Sequence, residues 1–255
     1  MPLLETERLS VRIGSVQVCR LLNLQVNPGE CWCILGRNGT GKTTLLHTLA
    51  GLRNPGSGGL MLHGKSLAAL RRREVARHIG VLLQDQRDSF PASVMETVLI
   101  GRHPFLGAWQ WETANDHAIA RAALRAVDLE GLETRNVATL SGGERRRLGI
   151  ATLLVQDPDV FLLDEPANHL DIYQQIRILD LLRAKAREEA KALLVVLHDI
   201  NLAVRYCNRF LLLFGDGDTA QGDAGEVLTK QTLERLYVHP LHSLPGPHGP
   251  VWVPE

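Results

Sequence analysis

The chain has 255 residues, and its 28 Lys and Arg residues are balanced by 28 Asp and Glu residues. This length suits one large domain, or one domain carrying an insertion, and leaves little room for two independent folds. The neutral balance argues against a general positive field that would attract nucleic acid or an anionic membrane surface.

The N-terminal segment and the apolar runs indicate no secretory signal and no membrane span. The start, MPLLETERLS, lacks the basic and apolar regions of a signal peptide. The longest apolar runs, such as ALLVVLH at 192–198, have the size of strands and fall short of the roughly 20 residues that cross a bilayer. We therefore expect the chain to stay in the cytosol.

Short apolar runs alternate with helical patterns, which is the arrangement of an α/β sheet with buried parallel strands. The best strand candidates are CWCILG, VLLQD, VFLLDE and LLVVLH. Helices are predicted at 42–52, 67–80, 116–129, 144–156 and 174–190. Between VLLQD and VFLLDE the pattern is helical without a convincing strand, which predicts a helical subdomain inserted into the sheet domain.

Two minor features could hold a metal. Cys31 and Cys33 lie on the same face of the strand candidate ECWCILG and are interpreted as buried reduced thiols. The Pro-rich tail HPLHSLPGPHGP carries His239, His242 and His248, and we expect it to be a solvated extension rather than a metal site.

Aromatic and basic clusters allow either a structural or a binding role. Phe105, Trp109 and Trp111, in RHPFLGAWQW, either anchor a loop or form a surface that docks a partner. The arginine runs at 71–73 and 145–147 are predicted to be solvated helix faces, since the total charge is neutral.

The segment ILGRNGTGKTT places Gly36, Gly41, Lys42 and Thr43 in the G-x-x-x-x-G-K-T pattern between a strand and a helix. Glycines allow backbone N–H groups to surround phosphate oxygens, and the helix N-terminus favours the anion. Lys42 would reach the β- and γ-phosphates, and the Thr43 hydroxyl would bind Mg²⁺. The predicted phosphate-binding residues are Gly36, Arg37, Asn38, Gly39, Thr40, Gly41, Lys42, Thr43 and Thr44.

Three strand ends carry polar groups suited to phosphate hydrolysis. VFLLDEP delivers Asp164, predicted to hold Mg²⁺, and Glu165, predicted to act as general base on the attacking water. His198 ends LLVVLH and is interpreted as a γ-phosphate contact, although a lone strand-end His is often only structural. Gln84, which ends GVLLQ, is placed to contact the metal or the attacking water.

The stretch LSGGERRR allows two interpretations. Ser141 and Glu144 have the spacing of a capping box, which would only start a helix. A helix start with glycines at positions 142 and 143 also exposes free N–H groups, which makes it an anion site. The local pattern leaves both open.

Taken in order, GRNGTGKT, Gln84, LSGGE, LLDEP, HLD and His198 resemble an ABC-transporter nucleotide-binding subunit over almost the whole chain. More narrowly, IGRHPFLG, DEPANHLDIYQQ and VLHDINLAVRYCN resemble the ATPases that drive iron-siderophore, haem and cobalamin importers. This resemblance implies an α/β fold with a RecA-like P-loop NTPase core and an antiparallel β element at 1–85 and 157–240. It also implies a helical subdomain with the signature motif at 86–156 and a C-terminal tail at 241–255.

The family implies a homodimer in which each ATP lies between one subunit's P-loop and the other's signature turn. By this resemblance Ser141, Gly142 and Gly143 touch the γ-phosphate bound to the other subunit, and Asp171 in the HLD turn joins the dimer seam. Gln84 would couple the γ-phosphate site to rotation of the helical subdomain.

The implied activity is ATP hydrolysis, with ATP and Mg²⁺ bound, that powers an importer. Its partners would be integral membrane permease subunits and, indirectly, a periplasmic or extracellular substrate-binding protein, with no nucleic acid. The subunit would lie peripherally on the cytoplasmic side of the inner membrane. The alternatives are the ATPase of an ABC exporter and a soluble ABC ATPase that acts on the ribosome or nucleic acid.

Five positions depart from the family's commoner pattern. Ile13 stands where an aromatic usually stacks on adenine, which puts base selectivity in doubt. Arg37 replaces a frequent proline, Glu144 and Arg146 replace frequent glutamines, and Ala167 replaces a usual threonine. None of these changes removes a predicted phosphate, metal or water ligand.

Overall fold

The computed structural model describes residues 1–84, 91–107 and 109–255. The strands are β1 Leu4–Ile13, β2 Val16–Leu22, β3 Gln25–Val26, β4 Cys31–Leu35, β5 Ser57–Leu62, β6 Lys65–Ser66, β7 Ile79–Leu82, β8 Val160–Asp164, β9 Ala192–Val196, β10 Arg209–Leu213, β11 Thr219–Gly222, β12 Leu241–Leu244 and β13 Val251–Pro254. The helices are α1 Lys42–Leu49, α2 Arg72–His78, α3 Val94–Leu99, α4 Ala114–Ala126, α5 Gly142–Gln156, α6 Ile172–Glu189, α7 Ile200–Tyr206, α8 Ala224–Val227 and α9 Lys230–Tyr237.

The central sheet has the strand order β11-β10-β4-β9-β8-β7, and all neighbours are parallel except β10 and β11. Three of the four strands predicted from apolar runs are confirmed as β4, β8 and β9. The fourth, VLLQD, overlaps β7 only at Val81 and Leu82, and its Asp85 lies outside the described residues. Parallel alignment brings the carboxyl ends of β4, β7, β8 and β9 to one edge, which is where ligands of α/β sheets bind.

Successive residues of β4 point to opposite faces of the central sheet, and both faces are buried. Cys33 and Leu35 pack in one core with α5, α6 and the other helices on that side, whereas Trp32 and Ile34 pack in a second core with α1. The antiparallel sheet, ordered β2-β1-β5-β6 with β3 paired to β1, covers the second face. Cys31 and Cys33 are buried free thiols, as predicted.

In the stretch between β7 and β8, the described residues form α3, α4 and α5, which pack on one another. Each helix begins with a capping box, Ser93 with Glu96, Thr113 with Asp116 and Ser141 with Glu144. These caps satisfy N–H groups that have no partner within the helix. The exact limits of a helical subdomain stay a prediction.

The helix predicted at 67–80 is wrong at both ends. Residues 67–69 form a single 3₁₀ turn, α2 occupies only Arg72–His78, and Ile79 begins β7. Ile79 pairs with Val160 of β8, so parallel pairing with the central sheet prevails over the local helical pattern.

The C-terminal tail is not the predicted extension, because β12 and β13 form an antiparallel hairpin. Leu241 and Trp252 are buried, and the Asn201 side chain of α7 bonds the backbone N–H and carbonyl of Trp252 at 2.8 and 3.1 Å. His239, His242 and His248 nevertheless lie exposed. Among the helices of the described residues, none has the length and apolar character needed to span a bilayer.

Candidate functional site

The turn between β4 and α1 surrounds Lys42, the first residue of α1, with backbone atoms. Gly41 holds a left-handed φ of 91°, and a Cβ there would lie 2.4 Å from a methyl carbon of Val18. A Cβ on Gly36 would lie 2.7 Å from Thr40 Oγ1 and 2.9 Å from the carbonyl oxygen of Leu213. Both positions therefore require glycine for steric reasons, and Gly41 also requires it for its left-handed backbone.

Lys42 is folded back into this turn. Its Nζ donates to the carbonyl oxygens of Gly36 at 2.8 Å and Arg37 at 3.0 Å, and the residue is only 7% exposed. Burial lowers the pKa of the Lys42 ammonium, while the carboxylates of Glu165 and Asp164 act in the opposite direction. The two carboxylates thus favour the charged form of Lys42 against the effect of its burial.

Thr43 and Asp164 meet across the site, since the Thr43 hydroxyl donates to Asp164 Oδ2 at 2.5 Å. Asp164 is 2% exposed, burial raises the pKa of its carboxyl group, and its Oδ1 has no hydrogen-bond partner among the described residues. A buried carboxylate oxygen that lacks a partner is costly unless a cation or donor meets it. A hydroxyl and a carboxylate are the oxygen ligands that Mg²⁺ prefers, so these residues fit that ion.

Glu165 follows Asp164 with a left-handed φ of 52°, which is uncommon for a residue other than glycine. Its Oε1 lies 2.5 Å from His198 Nε2, and its Oε2 lies 3.4 Å from Gln84 Nε2. The Asn168 side chain also donates to Oε2. The unusual backbone turns Glu165 out of the strand direction, into a ring of polar groups.

The structure brings eight of the sixteen predicted site residues into one cleft. Its volume is about 380 Å³, and it is lined by Asn38, Gly39, Gly41, Lys42, Thr43, Gln84, Glu165, Asn168 and His198. Gly36, Arg37 and Asn38 line an adjoining cavity with His198 and Tyr237. Thr40 and Thr44 are buried: Thr40 Oγ1 donates to the Arg37 carbonyl oxygen within the turn, and the Thr44 carbonyl oxygen accepts from Thr48 Oγ1 within α1.

The signature turn lies against a different part of the chain. Ser141 caps α5, with its N–H donating to Glu144 Oε2 at 2.7 Å. A Cβ on Gly143 would come within 3.1 Å of the His169 carbonyl oxygen, so the turn packs on the segment that follows Asn168. Asp171, two residues further on, caps α6 by accepting from the N–H of Gln174 at 2.8 Å.

The arginine run on α5 is not the solvated face that its sequence predicted. Arg146 donates to the carbonyl oxygens of Leu83, at 2.6 Å, and Asp164. Arg147 donates to the carbonyl oxygens of Val127 and Asp128, each at 2.8 Å. Guanidinium groups can bridge several carbonyls at once, so this run joins neighbouring segments instead of facing water. The run at 71–73 is exposed, as predicted.

Asn168 and Arg146 are the site residues that pattern reasoning missed. Asn168 stands three residues after Glu165, and its N–H donates to the Glu165 carbonyl oxygen at 3.1 Å. An Asn at the end of such a turn is a usable signal, because its amide can reach back to the residue that opens the turn. The contacts of Arg146 could not be predicted, because the sequence does not show which segments α5 packs against.

Comparisons with known proteins agree with this geometry. A family model described as "ABC transporter" matches residues 19–168, more than half of the chain. The chain is 37% identical over 235 residues to the ferric enterobactin transport ATP-binding protein FepC of Escherichia coli (strain K12), covering 92% of this chain and 86% of that protein. It is 36% identical over 251 residues to the hemin import ATP-binding protein HmuV of Bordetella avium (strain 197N), covering 96% and 95%.

Two solved structures share the fold over 86% or more of the chain. An inward-facing ABC transporter of the metal-chelate type superposes with a TM-score of 0.86 and 27% identity, covering 100% of this chain and 98% of that one. The dimeric, post-hydrolysis cassette MJ0796 bound to ADP and Pi superposes with a TM-score of 0.75 and 26% identity, covering 86% and 98%.

Proposed function

The chain belongs to the ABC transporter family and is an ATP-binding, ATP-hydrolysing subunit, and we propose that it powers the import of metal chelates. The observation that carries the catalytic part of this proposal is the position of Glu165. Its carboxylate borders the same cleft as Lys42 and Thr43, and it is held from two sides by His198 and Asn168.

Glu165 is the proposed general base. A carboxylate that hydrogen bonds fix at the mouth of a phosphate-binding turn can take a proton from a water aimed at the γ-phosphate. Asn168 and Gln84 would position the carboxylate, and the exposed His198 ring would donate to the γ-phosphate oxygens. The 2.5 Å contact between His198 and Glu165 supports a shared role in holding the attacking group.

Lys42, Thr43 and Asp164 are the proposed phosphate and metal ligands. Lys42 would contact the β- and γ-phosphates, and backbone N–H groups of residues 36–44 would surround the remaining oxygens. Thr43 and Asp164, with Gln84, would hold Mg²⁺. When bound, Mg²⁺ would neutralise charge on the phosphate oxygens.

The signature turn is proposed to act on the nucleotide of a second subunit. Ser141, Gly142 and Gly143 are exposed or half-buried and pack against the residues around His169. The N-terminus of the 15-residue α5, where Gly142 and Gly143 occupy the first turn beside the capping box, is suited to binding an anion that arrives from outside the chain. The dimeric form of MJ0796 supports a homodimer, and Asp171 would lie at its seam.

Membrane permease subunits are the proposed partners, with the ATPase held peripherally on the cytoplasmic face. Trp109 and Trp111 are 96% and 86% exposed. The Phe105 ring, in contrast, packs beside the guanidinium of Arg102, whose Cζ lies 4.4 Å from the ring centroid. Phe105 therefore anchors the loop, and the two tryptophans supply apolar surface for a partner. Gln84 would link this region to the γ-phosphate. A substrate-binding protein would take part only through the permease.

Iron-siderophore, haem and cobalamin chelates are the proposed cargo class. The named activities of FepC and HmuV, transport of ferric enterobactin and import of hemin, support chelated iron most directly. The metal-chelate transporter that superposes over the whole chain supports the same class.

Replacing Glu165 with Gln tests the catalytic assignment. We expect phosphate release to fall at least about a hundredfold, because the amide cannot accept the proton, while ATP binding persists. The matched control is Glu188→Gln, at an exposed position of α6. In light scattering, the E165Q protein should form an ATP-dependent dimer. Near-normal turnover in the variant, or full activity from a monomer at every dilution, would contradict the proposal.

A further inference from the structure

A second cluster of ligand-type side chains lies away from the nucleotide cleft. His63 Nε2 is 2.9 Å and His78 Nδ1 is 2.6 Å from the same oxygen, Asp159 Oδ2. The ring centroids of the two histidines are 4.8 Å apart, at an interplanar angle of 67°. The three ligand atoms all lie within 4.8 Å of one another, and all three residues are partly buried.

Three separate parts of the fold supply this cluster. His63 occupies the turn between β5 and β6 of the antiparallel sheet, His78 ends α2, and Asp159 immediately precedes β8. Asp164 stands at the other end of β8, so the cluster and the nucleotide cleft are separated by the length of that strand, roughly 15 Å. The cluster therefore belongs to neither the phosphate site nor the signature turn.

We propose that His63, His78 and Asp159 form a binding site for a divalent first-row transition metal. Two imidazoles and one carboxylate suit iron(II), cobalt(II) or zinc(II), whereas Mg²⁺ and Ca²⁺ prefer oxygen ligands alone. With bonds of about 2.0–2.2 Å, neighbouring ligand atoms around such a metal lie about 3.0–3.5 Å apart. The two imidazole–carboxylate spacings are already within a few tenths of an ångström of that range.

Backbone hydrogen bonds hold two of the three ligand residues, His63 and Asp159, in place without a metal. The His63 N–H donates to the Leu3 carbonyl oxygen at 3.0 Å, and the Asp159 carbonyl oxygen accepts from the Ala192 N–H at 2.8 Å. His63 has a left-handed φ of 48°, a conformation that histidine adopts more readily than most side chains. Donors that are fixed before the metal arrives bind it at a smaller entropic cost.

Lys191 places a positive charge beside the carboxylate of Asp159. Its Nζ lies 3.6 Å from Asp159 Oδ1 and 3.5 Å from Asp157 Oδ2, on the side of the Asp159 carboxylate away from the imidazoles. The ammonium opposes a metal cation at Oδ2 electrostatically. Removing this charge should therefore tighten metal binding.

Metal binding would join the antiparallel sheet to the central sheet. The turn at His63 and the segment before β8 would then share one ion, so the folded form would gain stability as metal concentration rises. This effect needs no nucleotide, and it is separate from the proposed transport function.

Titration with Co²⁺ and Zn²⁺ tests the site in the full chain, from which metal has first been removed with a chelator. The background protein carries His239→Gln, His242→Gln and His248→Gln, so that the exposed tail histidines do not compete. We expect one Co²⁺ per subunit with visible d–d absorption, and a melting temperature that rises with metal. His63→Asn, His78→Gln and Asp159→Asn should each weaken binding at least about tenfold.

Two further variants separate a metal site from a structural hydrogen-bond cluster. His103→Gln, at an exposed pair with Glu112, is the matched control and should bind Co²⁺ as the background does. Lys191→Gln should bind it more tightly. Unchanged ATP hydrolysis by the His63→Asn and His78→Gln proteins would show that they are folded. If their metal affinity equals that of the His103→Gln control, or if Lys191→Gln weakens binding, the proposal is overturned.

Discussion

Arg146 of α5 donates a hydrogen bond to the backbone carbonyl oxygen of Asp164, the last residue of β8. The same guanidinium donates to the carbonyl oxygen of Leu83, which precedes Gln84. Burial lowers the pKa of Arg146, and the carboxylates of Asp164 and Glu165 oppose that shift. One side chain of α5 thus ties together the backbone segments that deliver the predicted metal ligand and Gln84.

Arg146→Gln should destabilise the protein by about 1–3 kcal/mol, because the shorter amide cannot donate to both buried carbonyls. Urea unfolding at neutral pH measures the loss. Arg121→Gln, at an exposed position of α4, is the control and should change stability by less than about 0.5 kcal/mol. Equal effects of the two substitutions would show that the Arg146 bridge contributes nothing.

Ser141→Ala and Ser93→Ala form a matched pair, since both serines cap a helix through a capping box with a glutamate. Each substitution should cost about 1 kcal/mol of stability through the lost cap. Only Ser141→Ala should also slow ATP hydrolysis, and Ser141→Arg should abolish it without weakening nucleotide binding to the monomer. Steady-state phosphate release and fluorescent-nucleotide binding provide the readouts. Equal hydrolysis by the two Ala variants, with an active Ser141→Arg protein, would reduce the signature turn to a helix cap.

Asp164→Asn should stabilise the protein in the absence of nucleotide and Mg²⁺, and by more at pH 7.5 than at pH 4.5. Burial raises the folded-state pKa of Asp164, so the unfolded chain releases this proton first as the pH rises. Folded stability therefore falls between the unfolded value, about 3.9, and the raised pKa, at about 1.4 kcal/mol per unit of difference. The asparagine variant escapes this loss. Denaturant unfolding at several pH values tests it, and a difference that grows toward low pH would contradict the sign.

Ile13→Tyr should raise affinity for ATP about 2- to 12-fold, because an aromatic ring at this place adds about 0.5–1.5 kcal/mol of stacking on the base. Ile13 is 41% exposed at the end of β1, and the neighbouring strand β2 carries Val18, which touches Gly41. Leu244→Tyr, at an exposed position of the C-terminal hairpin, should leave affinity unchanged. Calorimetric titration with ATP measures both. If Ile13→Tyr does not raise the affinity for ATP, the adenine base does not stack beside residue 13.

The strand ends and the phosphate turn were predictable because their signals are local. Gly41 and Lys42 indicate the phosphate-binding turn within one short segment, and the buried strands β4, β8 and β9 are continuous apolar runs. The C-terminal hairpin was missed because Leu241 and Trp252 are buried by contacts with the rest of the domain, including Asn201, and not by their own pattern. The functional roles of the site residues stay predictions until variants are measured.

By itself, the sequence determined the residue types that can bind phosphate and metal, and the strands and helices that carry most of them. Local backbone preference and apolar periodicity act over a few residues, so a short segment of sequence is enough to show them. Only the tertiary structure decided that Asn168 and His198 hold Glu165 and that Arg146 is buried against Asp164. It also decided that His63 and His78 both contact Oδ2 of Asp159. Those contacts join residues that are mostly far apart in the chain, and packing of separate elements alone brings them within hydrogen-bond distance.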